Sequence, residues 1–224
     1  MSTDQNQRLG FGRYGKTAHG REESRQGRKT RTKRQLKEVT ITKAKKQLLA
    51  TEEIRKVLSV IGGGKEATVL LAENTEEELV CAKVFRYFTS TIRKRLRGTI
   101  HLLEDDMAAL AAKQEYWNLH EMFGNDIPVP RPILLLDNIV IMEFIAAEKG
   151  SIIPSPLLRE VDLSSYDPED LFYEAIDILA ELFLRGHYIH GDYSEHNLML
   201  TQKGILFTMD VSQSVKYNTR TFID

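Results

Sequence analysis

The feature that most constrains this sequence is a lysine in the middle of an apolar run rich in β-forming residues. Lys83 lies within Leu79–Phe85, and a strand of this composition is expected to be buried in a sheet. Because a buried ammonium group needs a charged partner, we predict that Lys83 pairs with Glu115, on a helix expected from about Leu103 to Met122. A merely structural ion pair, or a lysine on an edge strand, is the alternative that these residues leave open.

Two β-rich runs precede the one that contains Lys83, and two more follow the predicted helix. Turn residues separate the first three runs, which predicts an antiparallel meander. The last two enclose a tight turn at Asp137 and Asn138, which predicts a hairpin. The five runs are 57–61, 68–71, 79–85, 133–136 and 139–144. The first half of the chain is therefore expected to be an α+β unit of five strands and one helix.

Three successive glycines form the turn between the first two predicted strands. Gly62, Gly63 and Gly64 are followed by Lys65 and Glu66. Glycine permits positive φ and lets the backbone approach a ligand closely, so phosphate oxygens would fit against this turn. A flexible hairpin turn without a ligand is the alternative, because the segment is neither a Walker A loop nor a complete G-x-G-x-x-G.

The second half of the chain begins with a well-signalled helix. Asp167 is the expected N-cap, Pro168 the first helical residue and Gly186 the residue that ends it. The apolar residues of this helix cover a broad face and predict that the helix is buried. They are Leu171, Phe172, Ala175, Ile176, Ile178, Leu179, Leu182 and Phe183.

A polar loop after this helix carries an Asp and an Asn five positions apart. Asp192 and Asn197 lie within Ile189–Leu200, with the spacing of the phosphotransfer loop H-R-D-x-x-x-x-N. In that loop the Asp accepts a hydroxyl proton and the Asn holds a metal ion. Gly191 takes the place of the Arg. An ordinary polar turn, whose Asp and Asn bond only to local backbone, is the alternative.

A second carboxylate, Asp210, stands thirteen positions beyond Asn197 on the far side of a predicted hairpin. Such a hairpin brings the two side chains to one end, where a phosphotransferase holds Mg²⁺. Hard oxygen ligands, few in number and completed by phosphate and water, suit Mg²⁺ at a nucleotide site. The glycine turn, Lys83, Glu115, Asp192 and Asp210 thus follow one another in the order of a nucleotide phosphotransferase.

Charge is distributed unevenly along the chain. Residues 1–50 hold 14 Lys and Arg against 4 Asp and Glu, so they carry a net charge of +10, whereas the remainder carries −11. We predict a basic, disordered arm over 1–35 and a basic lead-in helix over 36–56. Such an arm suits a polyanion, of which RNA phosphate is the obvious example. A tail that only keeps the protein soluble is the alternative.

The composition also indicates where the protein works. The longest apolar runs are far shorter than the roughly 20 residues of a membrane span, and the N-terminus lacks the apolar core of a secretory signal. The single cysteine, Cys81, excludes an internal disulfide framework and is expected to be packed rather than reactive. These features predict a cytoplasmic protein without a membrane partner.

From about Val57 to Val215 the sequence resembles the RIO kinases, a family of atypical protein kinases with a trimmed two-lobed fold. The segments that carry the resemblance are GGGKEATV, CAKVF, PVPRPI, IMEFI, SPLLREVDL, IHGDYSEHNLML and MDVSQSV. The chain looks archaeal-like and closest to the first RIO subfamily, since the winged helix that begins the second has no counterpart here. The resemblance implies a kinase N-lobe with a five-stranded antiparallel sheet over 57–145 and a short, mainly helical C-lobe over 146–224.

The same resemblance implies ATP and Mg²⁺ as cofactors and phosphorylation of Ser or Thr, in a protein substrate or in the chain itself. It also implies a role in maturation of the small ribosomal subunit, with the precursor particle or its RNA bound through the basic arm. If the protein works as an ATPase switch, Asp210 would be phosphorylated transiently.

Site roles follow from the resemblance residue by residue. Lys83 would contact phosphate, Glu115 would orient Lys83, Asp192 would be the catalytic base, and Asn197 and Asp210 would bind the metal.

The nucleotide itself would be enclosed by two segments. Gly62 to Glu66 would cover the triphosphate. Met142 would stand behind the adenine, and the backbone of Glu143 and Ile145 would bond to it.

Two other functions stay open at this level. A small-molecule phosphotransferase of the aminoglycoside or lipopolysaccharide-sugar kind uses the same Asp, Asn and Asp logic. A catalytically idle RNA-binding assembly factor would work through its basic arm and use the nucleotide pocket as a sensor.

Overall fold

The sheet of the first half consists of five antiparallel strands. In the computed structural model, residues 41–64, 66–86 and 104–217 are described. The strands are β1 (Ile54–Gly63), β2 (Ala67–Asn74), β3 (Leu79–Phe85), β4 (Pro132–Leu136) and β5 (Ile139–Glu143). Their spatial order is β1-β2-β3-β5-β4. The predicted α+β arrangement and five-stranded sheet are therefore present, and β3 occupies the centre of the sheet.

Both faces of β3 are covered, which explains its nearly continuous apolar sequence. Alternate residues of a strand point to opposite faces. Val80, Ala82 and Val84 belong to the cluster that also contains Ala44 and Leu48, from the helical segment 41–49. The other face therefore carries Cys81, Lys83 and Phe85. All three line the cavity described below.

The predicted lead-in helix of 36–56 is too long at its C-terminal end. Residues 41–49 are helical, and Thr51 closes the segment by donating its hydroxyl to the Leu48 carbonyl at 2.7 Å. Strand β1 begins at Ile54, which is buried and pairs with Asn74. Sheet pairing thus overrides the weak helical pattern after residue 49. The predicted arm over 1–35, residues 36–40 of the predicted lead-in helix and residues 87–103 lie outside the described residues.

Helix α1 (Glu104–Gly124) crosses the cavity side of the sheet. Its start and end lie within two residues of the prediction. The face that packs inward repeats every three or four residues and consists of Ala108, Ala112, Glu115, Leu119 and Met122. Leu110 and Trp117 lie outside this face and are about half exposed. Three small or polar inward residues allow α1 to lie close to the sheet, with Glu115 inside the interface.

The second half contains one long helix, α2 (Pro168–Leu184), followed by short strands. The Asp167 side chain accepts a hydrogen bond from the Glu169 backbone N–H at 2.9 Å, so the predicted N-cap and the proline at the first turn are as expected. The strands are β6 (Tyr188–Ile189), β7 (Leu198–Leu200), β8 (Leu206–Thr208) and β9 (Val215–Lys216). Strand β6 pairs with β9, and β7 pairs with β8.

Helix α2 is much less buried than its sequence predicts, which corrects that prediction. Only Leu171, Ile178 and Leu182 are buried. A stripe of exposed apolar side chains runs along another face. It comprises Phe172, Tyr173, Ile176, Leu179, Phe183 and Leu184. The apolar periodicity identified α2 correctly as a helix. It could not show that the other described elements cover only one narrow face of α2. No described helix is long and apolar enough to cross a membrane.

The uneven burial of α2 predicts different costs for the same exchange at two neighbouring positions. Leu182→Ala removes a completely buried side chain and is expected to lower the free energy of unfolding by about 2–5 kcal/mol. Leu184→Ala, at a side chain that is 68% exposed, is the matched control and should change it by less than about 0.5 kcal/mol. Urea unfolding measures both variants. Equal losses would contradict the orientation of α2.

Candidate active site

Lys83 joins two carboxylates that come from distant parts of the chain. Its Nζ lies 2.8 Å from Glu115 Oε1 on α1 and 2.8 Å from Asp210 Oδ1 beyond β8. The side chains of Lys83 and Glu115 are 11% and 2% exposed, whereas that of Asp210 is 46% exposed. The ammonium also lies 5.1 Å from the centre of the Phe85 ring. The pair predicted from the sequence thus forms, with Asp210 as an additional partner.

Burial and charge act in opposite directions on these three groups. Burial would lower the pKa of Lys83, but Glu115 and Asp210 outweigh it and the pKa is raised. Burial would raise the pKa of Asp210, yet Lys83 and the Ser212 hydroxyl hold it below its usual value. For Glu115 burial prevails, and its pKa is raised despite the attraction of Lys83. Lys83 and Asp210 are therefore firmly charged, while Glu115 depends on Lys83 to stay ionised.

Asp210 is held in an unusual backbone conformation at the start of a 3₁₀ turn, Val211–Gln213. Its φ and ψ are 54° and 61°, in the left-handed region, which only Gly, Asn and Asp visit routinely. The Ser212 hydroxyl donates to Asp210 Oδ1 at 3.0 Å. The Met209 N–H donates to the Asn197 carbonyl at 2.8 Å. This last bond fixes the separation between the Asp210 segment and the polar loop.

The polar loop holds Asp192 and Asn197 together. Asn197 Nδ2 donates to the Asp192 carbonyl at 2.8 Å and to the Asp192 carboxylate at 3.0 Å. Because the amide nitrogen makes both bonds, the Asn197 amide oxygen is the atom suited to a cation. The Asp192 carboxylate is solvent-exposed, as a group that meets a substrate hydroxyl must be. The local bonding that the sequence left as an alternative is therefore present. It still leaves the Asn197 amide oxygen and part of the Asp192 carboxylate free to bind a ligand.

His190 orients this loop from beneath. It is buried, its Nε2 lies 3.1 Å from the Met209 carbonyl, and its Nδ1 accepts from the Asp192 N–H at 3.3 Å. Burial lowers the pKa of His190, which favours the neutral ring that these two bonds require. Gly191 explains the missing arginine, because its φ is +83° and a Cβ would lie 3.0 Å from the Gln213 carbonyl oxygen.

A cavity of about 680 Å³ lies between the sheet and the polar loop, within the range of cofactor pockets. The predicted residues that line it are Gly62, Gly63, Gly64, Glu66, Lys83, Glu115, Met142, Glu143, Ile145, Asn197 and Asp210. Asp192 adjoins the cavity through its bond to Asn197. Lys65 lies outside the described residues. The structure thus brings the described candidates to one place.

Arg86 holds the glycine turn at the mouth of the cavity. Its Nη2 donates to the carbonyls of Gly64 and Ala67 at 2.9 and 2.6 Å, and its backbone N–H donates to the Glu66 carbonyl at 2.8 Å. Arg86 follows β3 by one residue, and nothing in its sequence context marked it as a turn-holding residue. The turn is therefore anchored to the same strand that carries Lys83.

Two groups of the Glu143 to Ile145 segment are already used within the protein. The Glu143 N–H donates to the Arg131 carbonyl at 2.8 Å, and the Ile145 carbonyl accepts from the Ser155 N–H at 2.9 Å. A base bonded to this backbone would therefore use the Glu143 carbonyl and the Ile145 N–H. Cys81 lines the cavity nearby, and burial raises the pKa of its thiol to about 12, in keeping with a packed residue.

Several residues of the cavity wall had no predicted role. Leu157, Arg159 and Glu160 line it, as do Met199 and Met209. The first three belong to the SPLLRE segment, which carried the family resemblance but no recognisable chemistry. Met199 is the middle residue of β7 and Met209 follows β8 by one residue, and only the strand register could have shown which way they face.

The donor set fits Mg²⁺ held jointly with a nucleotide. Within the described residues no group of three or more His, Cys, Asp or Glu is arranged to hold a metal ion by itself. Mg²⁺ at nucleotide sites commonly uses one or two carboxylates and takes its other ligands from phosphate and water. Asp210 and the Asn197 amide oxygen supply that number. Burial and the charges of Asp210 and Asp192 raise the pKa of Glu66, so a cation here would relieve repulsion among carboxylates.

The five-stranded sheet, the helix α1 that packs on it, and the polar loops across the cavity together define a protein-kinase-like α+β fold. Two solved structures of the Rio2 kinase from Chaetomium thermophilum share it, with TM-scores of 0.57 and 0.53 at 24% and 22% identity. Each likeness covers 73% of this chain and about half of the other. The second structure is described as an ADP/Mg²⁺-phosphoaspartate complex. At this level of identity the likeness establishes the fold.

Residues 68–223 match the RIO domain, and the chain therefore belongs to the RIO family. It is 32% identical over 181 residues to serine/threonine-protein kinase RIO1 of Caenorhabditis elegans, which covers 76% of this chain and 35% of that protein. It is 26% identical over 147 residues to the RIO-type serine/threonine-protein kinase Rio1 of Thermoplasma acidophilum, covering 62% and 74% respectively. The resemblance to the first subfamily is thus confirmed. The chain spans about a third of the length of the eukaryotic RIO1 relatives.

Lys83→Met is expected to destabilise the fold in a pH-dependent way. It leaves Glu115 buried without a cation, which costs about 3–5 kcal/mol when the carboxylate is ionised. The folded-state pKa of Glu115 is raised, so its folded form binds a proton more readily than its unfolded form. The loss should therefore grow as pH rises through that folded pKa and shrink toward the unfolded value of about 4.3.

Urea unfolding between about pH 5 and pH 8 measures this dependence. The matched control is the double variant Lys83→Met, Glu115→Gln, whose amide does not titrate. Its stability relative to the single variant Glu115→Gln, which isolates the loss of Lys83, should not vary with pH over that range. A pH-independent loss in Lys83→Met itself would show that Glu115 does not rely on Lys83 for its charge.

Proposed function

We propose that this protein is an ATP- and Mg²⁺-dependent serine/threonine kinase or ATPase that acts in maturation of the small ribosomal subunit. The observation that carries the catalytic part is the meeting of Lys83, Asp210 and Asn197 at one cavity, with Asp192 bonded to Asn197 beside it. Relatives named serine/threonine-protein kinases support the same reading. The basic residues 1–50, with a net charge of +10, support a polyanionic partner such as ribosomal RNA.

The residues of the chain divide the chemistry as follows. Lys83, held by Glu115, offsets charge on the phosphates, and the glycine turn covers them with backbone. Asn197 and Asp210 would hold Mg²⁺, which supplies charge neutralisation and alignment of the phosphates when bound. Asp192 accepts a hydrogen bond from the attacking hydroxyl or water and takes its proton as the new bond forms. Little covalent work falls to the protein, so positioning dominates.

In the ATPase cycle, Asp210 would accept the phosphoryl group. A related structure, the Rio2 kinase of Chaetomium thermophilum, is described as a phosphoaspartate complex. In this chain the Asp210 carboxylate lines the cavity and is half exposed, so one of its oxygens could bond to the γ-phosphorus of ATP while the bond to the β-phosphate breaks and ADP leaves. Hydrolysis of the resulting acyl phosphate would complete an ATPase cycle and make the protein a switch.

We also propose a cytoplasmic location, which rests on the composition.

One assay separates the possible activities. The chain is incubated with ATP labelled at the γ-phosphate and with Mg²⁺, alone and with small-subunit precursor particles. Label on Ser or Thr supports the kinase, and acid-labile label on Asp210 or particle-stimulated phosphate release supports the ATPase switch. Label transferred only to an added aminoglycoside or sugar would support a small-molecule phosphotransferase. Absence of nucleotide binding would overturn the proposal altogether.

Asp192→Ala is expected to keep nucleotide binding and lose turnover. The exposed Asp192 carboxylate accepts one hydrogen bond, from the Asn197 amide, which also bonds to the Asp192 carbonyl, so the loop should stay folded, but loss of a general base costs about a hundredfold or more in rate. Isothermal titration with Mg-ATP measures binding, and phosphate release measures turnover. Asp177→Ala is the control, because Asp177 is an exposed residue of α2 outside the cavity lining. Undiminished turnover in Asp192→Ala would refute the role of Asp192.

A further inference from the structure

Helix α1 carries a second buried polar residue one turn beyond Glu115. Asn118 is 2% exposed, and its side chain does not line the cavity. A buried amide is retained only where hydrogen bonds compensate for its loss of water. The partners of Asn118 therefore show what the residue is for.

Both partners of the Asn118 amide nitrogen lie in the segment that follows Asp210. Nδ2 donates to the Val211 carbonyl at 2.7 Å and to the Ser214 carbonyl at 3.2 Å. The amide oxygen accepts from Gln114 Nε2 at 3.0 Å, which fixes the orientation of the amide. Asn118 thus spans the 3₁₀ turn Val211–Gln213 from its first residue to its C-cap.

This turn needs an external support because its N-cap is strained. Asp210 lies in the left-handed region and its side chain does not cap the turn. Such a conformation costs on the order of 1–2 kcal/mol and persists only where surrounding structure fixes it. Two bonds from one buried side chain to the carbonyls of Val211 and Ser214 provide that constraint. Relaxation of Asp210 to an ordinary conformation would turn its carboxylate away from Lys83.

We propose that Asn118 is a positioning residue that sets the Asp210 carboxylate for metal binding. The inference rests on the proposed function, since it concerns the same site. Glu115 and Asn118 lie on one face of α1, so a single helix fixes Lys83 through the first and the backbone beyond Asp210 through the second. Metal affinity then depends on a side chain that never touches the metal, as it does for outer-shell partners of known metal ligands.

Asparagine is the side chain that fits this position. Aspartate would place a carboxylate against two carbonyl oxygens, and leucine has nearly the same size but no donor. Either replacement should weaken metal binding about tenfold or more, by analogy with outer-shell substitutions at metal sites. Binding of the nucleotide without metal should change little, because Lys83, Glu115 and the glycine turn remain in place.

The test measures Mn²⁺ affinity by electron paramagnetic resonance in the presence of saturating ADP, for the wild type, Asn118→Asp and Asn118→Leu. Tyr188→Phe is the matched control. It removes another bond between α1 and the second half, from the Tyr188 hydroxyl to Glu121 at 2.9 Å, without reaching the Asp210 segment. Melting temperatures are recorded for all proteins, and affinities are compared below the lowest of them.

A tenfold loss of Mn²⁺ affinity in both Asn118 variants, with wild-type affinity in Tyr188→Phe, supports the proposal. Wild-type affinity in the Asn118 variants overturns it, as does an equal loss in Tyr188→Phe, which would indicate general loosening. If the wild type binds no Mn²⁺ with ADP, the proposed function fails before the variants are compared.

A second measurement lowers the pH, so that a protonated carboxyl in Asn118→Asp can replace the missing hydrogen-bond donor. It keeps the test decisive if a variant folds poorly. A buried carboxyl introduced by Asn118→Asp has a raised pKa, and its protonated form can again donate to the Val211 carbonyl. The ratio of wild-type to Asn118→Asp affinity should therefore narrow as pH is lowered toward about 5, whereas the ratio for Asn118→Leu should stay constant. Parallel behaviour of the two variants would overturn the proposal.

Discussion

The ammonium group of Lys83 is the point at which the two halves of this structure meet. It lies on the central strand of the sheet, and its partners come from α1 and from the end of β8, 32 and 127 positions along the chain. If any two of these elements moved apart, a charged side chain would be left without its partner where little water reaches it. The cavity exists because the sheet, the helix and the polar loop are held at the distances that this triple contact sets.

Helix α1 transmits that constraint into the second half. Glu115, Asn118 and Glu121 follow one another at intervals of three residues. Glu115 pairs with Lys83, Asn118 bonds to the backbone beyond Asp210, and Glu121 accepts from Tyr188 and pairs with Lys216. Protein kinases control activity by placing or displacing the helix that carries this Glu. Here the helix is tied to the second half along two turns, so its position is part of the fold.

Much of this arrangement was predictable because it depends on local chemistry. A lysine within an apolar strand required a carboxylate partner. The N-cap Asp167, followed by Pro168, predicted where α2 begins. The order of glycine turn, lysine, acid and polar loop pointed to a nucleotide phosphotransferase, and the resemblance of segments such as GGGKEATV and MDVSQSV pointed to the RIO family. Several other long-range contacts were not predictable. Nothing local to Asp210 shows that Lys83 would take it as a second partner, and nothing local to Asn118 or Arg86 shows which carbonyls each would reach. The length of the lead-in helix was wrong because β1 pairing competes with a weak helical pattern.

The apolar stripe of α2 has a consequence for the behaviour of the protein in solution. Five acidic residues and no basic ones share this helix with Phe172, Tyr173, Ile176, Leu179 and Phe183. Like charges on two copies keep such faces apart at low ionic strength, and dissolved salt screens that repulsion over about 10 Å at 0.1 M. Kosmotropic salts also strengthen apolar contact. Sulfate should therefore promote self-association of the protein, whereas a low-salt buffer keeps the copies apart. Self-association would thus report on a face whose residues do not line the cavity.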